Sequence, residues 1–385
     1  MHRSPVIFRC LLAAWLASAM LLMAQQAENA PEQTSTQERL ERAGWWPTKE
    51  QASGDGFVGA KACAQCHEQM VASQRKTAMA RTLMSGAQSD ILSSHTGHSF
   101  KLNNFDYHIA ASTSGPSYNV ALAGGREKSL DAPVAWAFGS GEISQVYYSK
   151  LSESWVESYF SYFPTIQGFA ATPAQRAAPT TVEEALGRTV PAAQLRGCFS
   201  CHSTGMTTGK LEPERLIPGV SCEACHGPGA AHVAAMKAGI RDTSFIFNPK
   251  RLKPVDQVDF CGACHKTWVD VSMEGTYGVA QVRFPAYRLE SSKCWGDAGD
   301  ARLTCAGCHD PHKPLVEIAS SYDKNCLSCH ANGETKSSVQ HSAAACPRAT
   351  KDCATCHMPK YEIEDTHYKF TDHMIRVVKE QRFPG

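Results

Sequence analysis

From Ser99 to Phe163 apolar and polar positions alternate with a period of two. Phe100 and Leu102, then Phe105, Tyr107 and Ile109, face one way, with Lys101, Asp106 and His108 between them. Tyr118, Val120 and Leu122 repeat the pattern before Gly124-Gly125. Val134, Trp136 and Phe138 repeat it before Gly139-Ser140-Gly141, and Trp155, Tyr159 and Phe163 follow. Successive side chains of a strand point to opposite faces, so the stretch predicts an antiparallel β meander or small sandwich with an aromatic core. It holds no cysteine. Helical signals are shorter. Cys63 to Leu83 has few breakers and predicts a helix. Thr181–Gly187 predicts another, capped by Thr180 or Thr181, and AAHVAAMKA at 230–238 a third, ended by Gly239.

The N-terminus has a different pattern. His2, Arg3 and Arg9 precede an apolar run from Cys10 to Met23 broken only by Ser18, with small residues around Ala24. This is the form of a cleaved secretory signal peptide, and the run is short of the roughly 20 residues of a spanning helix. Cys10 lies at the start of the run, not its end, which argues against a lipoprotein. Residues 25–55, rich in Gln, Glu, Thr and Ala, read as a linker. The expected location is periplasmic or extracellular, with no membrane span after signal cleavage.

The chemistry lies in the cysteines. Seven copies of C-x-x-C-H occur: CAQCH at 63–67, CFSCH at 198–202, CEACH at 222–226, CGACH at 261–265, CAGCH at 305–309, CLSCH at 326–330 and CATCH at 353–357. They use 14 of the 17 cysteines. The pairs are Cys63 and Cys66, Cys198 and Cys201, Cys222 and Cys225, Cys261 and Cys264, Cys305 and Cys308, Cys326 and Cys329, and Cys353 and Cys356. Thiols three residues apart project from one side of a helical turn and can form thioethers to the two vinyls of one haem. The next residue then ligates the iron from below, which assigns His67, His202, His226, His265, His309, His330 and His357. Zinc ribbons and disulfide frameworks have no use for a histidine directly after the second cysteine. The expected cofactor is haem c, seven per chain. Outside the motifs, the mature chain keeps Cys294 and Cys346, for which a disulfide between them and two buried free thiols both stay open in an oxidising compartment.

Ligand arithmetic addresses the sixth positions. Of 16 histidines, seven are proximal and His2 leaves with the signal, so eight remain. His232, His312, His341 and His373 are the favoured distal ligands; His95, His98, His108 and His367 are lesser candidates. For the first haem, Met79, His95 and His98 all stay open. Near-complete bis-His coordination favours an electron carrier over an enzyme. The enzyme alternative places a five-coordinate haem at Cys261–His265 or Cys63–His67, acting on a small nitrogen or sulfur compound.

The formal charge of +1 becomes −1 once Arg3 and Arg9 leave. Two propionates on each haem then make the loaded protein acidic, which argues against nucleic acid as a partner. The expected partners are redox proteins, namely other cytochromes or a membrane quinol oxidoreductase.

The opening VGxxxC-xx-CH, the C-xx-CHGPGxxH at 222–232, CHDPH at 308–312 and CHMPK at 356–360 resemble the multihaem cytochromes with a cytochrome c-552/c-554 domain, a group related to hydroxylamine oxidoreductase and pentahaem nitrite reductase. The resemblance covers residues 56–85 and 195–375 and leaves the β insert outside. It implies stacked, mostly bis-His haem pairs, with His232 and His312 ligating haems other than those of their own motifs. Two features depart from the group. The C-x-x-C-K motif of the nitrite reductases is absent, and the usual histidine of the first-haem helix is replaced near Lys76–Met79. The expected fold is mainly α with long loops, organised around stacked haems and carrying an inserted antiparallel β subdomain. Its expected divisions are signal 1–24, linker 25–55, first haem segment 56–98, haem-free β-rich insert 99–175 and hexahaem domain 176–385.

Overall fold

The computed structural model describes residues 56–378, except 113–114, 126–127, 176–177, 206–212, 214–215, 293, 296–302 and 331–345. The signal and linker segments and His341 lie outside the described residues. What is described belongs to one compact unit, Arg42–Gly385.

Helix α1 (Gly59–Gln74) carries the first motif and kinks at His67. It stops short of the Leu83 expected for it. The Thr77 hydroxyl donates to the Gln74 carbonyl, and the Val220 N–H donates to the Met79 carbonyl. The chain therefore turns away to run beside residues 219–220. Gly219 permits this closeness: at φ +77° it sits where a Cβ would lie 2.0 Å from the Ala80 carbonyl oxygen.

Strand β1 (Leu83–Ser85) and helix α2 (Asp90–Ser94) lead into a four-stranded antiparallel sheet of β2 (Ser99–Leu102), β3 (Phe105–Ser112), β4 (Gly115–Leu122) and β5 (Ser129–Pro133). The second sheet contains β6 (Trp136–Phe138), β7 (Gln145–Leu151), β8 (Ser154–Phe163) and β9 (Gly168–Ala171). It runs in the order β1-β6-β7-β8-β10, with β9 also on β8 and β10 being Gly187–Val190. Strands from either side of the 99–175 segment thus complete this sheet.

Between the sheets lie Phe105, Tyr107, Ile109, Tyr118, Val120, Tyr147, Tyr159 and Phe160, all buried. The alternation in β3 gave this face. Helix α3 (Val182–Leu186) closes one end, capped by Thr181 as expected. The buried hydroxyls of Tyr107 and Tyr118 donate to its last carbonyls, Ala185 at 2.7 Å and Leu186 at 2.8 Å. Those carbonyls have no partner within the helix.

Strand β8 does not alternate: residues 156–161 are all buried. Its sheet is covered on both faces. The far face packs Leu83, Phe138, Tyr148 and Val190 against Leu195 and Phe199 of helix α4 (Ala192–His202), the helix of the second motif.

After α4 come β11 (Ser203–Thr204), β12 (Ile217–Pro218) and a run of short helices. These are α5 (Cys222–His226), α6 (Ala230–Lys237), α7 (Pro254–His265), α8 (Trp268–Glu274), α9 (Pro285–Glu290), α10 (Cys305–Cys308), α11 (Asp323–His330) and α12 (Cys353–His357). Strands β13 (Lys360–Glu362) and β14 (Lys369–Thr371) form a closing hairpin. The fold is helical with long loops only in this second half; the first half is mostly strand. Among the described residues, the helical half has one small apolar cluster, Val258, Ala286, Leu289 and Trp295, with Cys305 and Ile375 against it.

Candidate haem-attachment sites

Every motif forms a helical turn. In α4, α5, α7, α11 and α12 the histidine is the last helical residue, and in α10 it is the C-cap. Both thiols therefore leave one side of the turn and the imidazole leaves the open end. Among the described residues, no three His, Cys, Asp or Glu side chains converge as a cage for a metal ion. The cysteine pairs are thus not grouped into the four-ligand sets of structural zinc.

Three of the proximal imidazoles are held by one nitrogen. His202 Nδ1 donates to the Thr82 carbonyl at 3.0 Å, His226 Nδ1 to Phe247 at 2.9 Å and His357 Nδ1 to Arg376 at 2.9 Å. A carbonyl on Nδ1 fixes the tautomer and leaves the Nε2 lone pair for a metal. Burial holds His202, His226, His265 and His309 below the usual imidazole range, in the neutral form that ligation needs.

The motifs meet through their first cysteines. The Cys63 thiol is in hydrogen-bond contact with Cys222, Cys261 with Cys305, and Cys326 with Cys353. Motifs one and three, four and five, and six and seven are thus neighbours. Further contacts join the pairs. Cys225 lies within electrostatic reach of Cys261, and Cys326 within reach of Cys308. Asn325 Nδ2 donates to the Gly307 carbonyl at 2.6 Å. Motif two sits beside motif four, with Cys201 Sγ 3.8 Å from the Ala263 carbonyl and His202 in reach of His265. Cys198 lies 3.9 Å from the Tyr148 hydroxyl, which donates to the buried Glu157 at 2.6 Å.

Two of the expected distal histidines face proximal ones. The rings of His226 and His312 have centroids 6.1 Å apart with 14° between their planes, and those of His309 and His373 are 6.2 Å apart. Two imidazoles bound through facing nitrogens to one iron, at metal–nitrogen lengths of about 2 Å, have centroids roughly 6 Å apart. The donor set thus fits haem c. His232 lies within reach of His226, as does His67, and its Nδ1 is buried with no hydrogen-bond partner.

The lesser candidates lie elsewhere. His95 packs on Tyr162 and Phe169 at 5.3 and 5.2 Å, and its Nδ1 donates to Ile91 at 2.7 Å. His98 stacks on Phe100, His108 bonds Ser99 on the neighbouring strand, and His367 meets Phe163 edge-on. All four belong to the β sandwich or its border. Met79 is half-buried in the turn after α1, where its carbonyl accepts from Val220 and Thr82.

Three positioning groups gave no signal in the sequence. Asp372 is fully buried and accepts from Arg288 through both oxygens, at 2.7 and 2.8 Å, and from Arg376 at 2.7 Å. With Ser292 Oγ donating to the His373 carbonyl at 2.9 Å, this pins the tail so that His373 faces His309. Glu223 and Asp323 each hold the backbone of a neighbouring motif.

The profile of the family described as "Cytochrome c554 and c-prime" matches residues 162–227, from the end of β8 through motifs two and three. That span begins inside the β region, which the sequence resemblance had left out. The multiheme cytochrome MtrA of Shewanella baltica (strain OS185) is 24% identical over 180 residues, 44% of this chain and 47% of its own length. The chain thus spans about half of that relative. The crystal structure of the outer cell wall cytochrome OcwA aligns over 84% of this chain and 80% of its own, at 14% identity and a TM-score of 0.48. Motifs, neutral imidazoles and profile together define a c-type haem protein. Seven such motifs in one chain, with the likeness to a multiheme cytochrome, support a multihaem c-type cytochrome. No helix among the described residues is long and apolar enough to cross a membrane.

Proposed function

We propose that the chain is an exported heptahaem electron carrier, with haem c at all seven motifs and mostly bis-His iron. The observation that carries this is the continuous neighbouring of motifs, one with three, three with four, four with five, five with six and six with seven, and with two beside four. Haem c supplies reversible ferric–ferrous chemistry when attached. The chain's own residues attach it, present neutral imidazoles to it and hold those rings by Nδ1. In this reading His312 ligates at motif three, His373 at motif five, and His232 and His341 at two of the remaining sites. The acidic surface lent by the propionates suits other cytochromes or a membrane quinol oxidoreductase as partners, on the outer side of the membrane to which the leader directs the chain.

One observation favours the enzyme alternative. Among the described residues His232, His312 and His373 stand with the proximal His226 and His309, and the sixth ligand of the first haem stays open. A haem ligated by Met79, or left five-coordinate, fits there. Pyridine haemochrome titration and the intact mass should give seven covalent haems per chain. Low-temperature EPR of the oxidised protein should then be mainly low-spin. A count of six or fewer after full maturation rejects the heptahaem reading, and a dominant high-spin signal rejects the carrier in favour of the enzyme.

A further inference from the structure

Glu223 stands between the two thiols of motif three and is 1% exposed. Its Oε1 accepts from the Val58 N–H at 2.8 Å and from the Gly229 N–H at 2.9 Å; its Oε2 accepts from the Gly59 N–H at 2.8 Å. Val58 and Gly59 begin α1, four to five residues before Cys63, and Gly229 ends the turn before the helix of His232. One carboxylate therefore joins three segments: motif three, the helix of motif one and the start of the helix bearing His232. A Cβ on Gly229 would lie 3.0 Å from Val58 Cγ2 and 3.2 Å from Glu223 Oε1, so a larger residue would have to push one of them aside. At the other end of α1, Gln74 Nε2 donates to Val220 at 2.6 Å. Helix α1 is thus fixed at both ends against the motif-three segment, with Cys63 against Cys222 between.

The same device recurs in a second pair. Asp323, in the helix of motif six, accepts from the Cys353 N–H at 2.9 Å and from the Asp352 N–H at 2.7 Å, at the start of motif seven. In both cases a carboxylate from one motif helix grips two successive N–H groups that open the helix of its partner. In both cases the first cysteines of the two motifs touch. Two acceptors on two adjacent donors fix translation and rotation together, as a single hydrogen bond cannot.

We propose that Glu223 and Asp323 are positioning residues that set the register of the two haems within their pairs, Glu223 for haems one and three and Asp323 for haems six and seven. This rests on the heptahaem reading. Electronic contact between two haems depends steeply on their separation and tilt, so the register of the helices sets how strongly each pair is coupled.

The test uses the full-length holo-protein and the variants Glu223→Gln and Asp323→Asn, which keep side-chain size and replace one acceptor oxygen by a donor group. Haem content is counted first, by pyridine haemochrome. With seven haems retained, Glu223→Gln should change the spin-coupled EPR signal of one pair and shift two midpoint potentials upward, since an amide replaces a carboxylate beside both haems. The other five potentials should hold. Asp323→Asn should do the same to a different pair. It acts on a half-buried residue, so it keeps the test open should the Glu223 variant fail to fold. Unchanged coupling and potentials at full haem content overturn the proposal, as does a shift spread over all seven haems. Fewer than seven haems in the unaltered protein would instead defeat the heptahaem reading, a failure separable from that of the carboxylates.

Discussion

The imidazole planes of His226 and His312 lie within 14° of each other, 6.1 Å apart, although 86 residues separate them in the chain. His226 belongs to motif three; His312 follows motif five in CHDPH. Asp310 accepts from the His312 backbone N–H at 3.0 Å and lies 3.1 Å from its Nδ1. The ring is thereby presented through its other nitrogen.

If His312 closes the site at motif three, His312→Ala should convert one low-spin haem to high-spin in EPR without changing haem content. His312→Met should keep it low-spin and raise one midpoint potential, because a thioether favours ferrous iron. A redox titration with parallel EPR separates the two. Neither change appearing would remove His312 from the ligand set.

The buried Arg288–Asp372 pair should show the cost of a broken ion pair. Arg288→Met leaves the buried Asp372 with Arg376 and the Met374 N–H but without its bidentate partner, and should lower stability by about 3–5 kcal/mol. The double replacement with Asp372→Leu should recover part of this, since two apolar groups need no partner. Guanidinium unfolding curves report both, and the single variant should also loosen His373 and disturb the potential of one haem.

Glu290 gives stability a pH dependence. Burial first, then the charge of Asp259 and the Cys305 sulfur, push its carboxyl up to about 8 from an ordinary 4.5. Thioether formation removes the sulfur's charge but leaves burial and Asp259. The folded state therefore holds a proton that the unfolded chain has lost. This contribution is fully present below about pH 4.5 and should be lost as pH rises toward about 8, with a slope of at most about 1.4 kcal/mol per pH unit. Denaturation midpoints measured across pH 5–8 should fall, and Glu290→Gln should flatten that part of the profile.

Phe199, between the two cysteines of motif two, is fully buried against Trp136 and Phe138. Phe199→Ala should cost about 3–5 kcal/mol by cavity formation. Trypsin should then cut between the sandwich and α4 faster than in the unaltered protein.

The sequence was most readable where one physical rule acted alone. Alternation in β3 and β4 marked the inward faces of Tyr107 and Tyr118, and Thr181 marked the start of α3. It failed where two layers compete for one strand. The buried run of β8 hides its period because α4 covers the second face. It failed again at α1, where propensity favoured a longer helix but contacts with residues 219–220, distant in sequence, turn the chain. Ligand arithmetic singled out His312 and His373, which stand opposite His226 and His309, and gave less weight to His95 and His98, which pack on aromatic residues of the sandwich. Glu223 could not be read at all: a variable position inside a motif shows nothing of the two N–H groups that reach it from 165 and 164 residues away.

The burial of Phe199 and the half-burial of Cys198 beside Tyr148 also bear on the order of assembly. An attachment machinery must reach both thiols of motif two, and the docked sandwich walls off one side of them. On the heptahaem reading, the sandwich has to stay apart from α4 until the porphyrin of motif two is in place. Docking is then a late step that follows loading, and a chain that has missed its second haem would carry a sandwich with nothing complete to close upon.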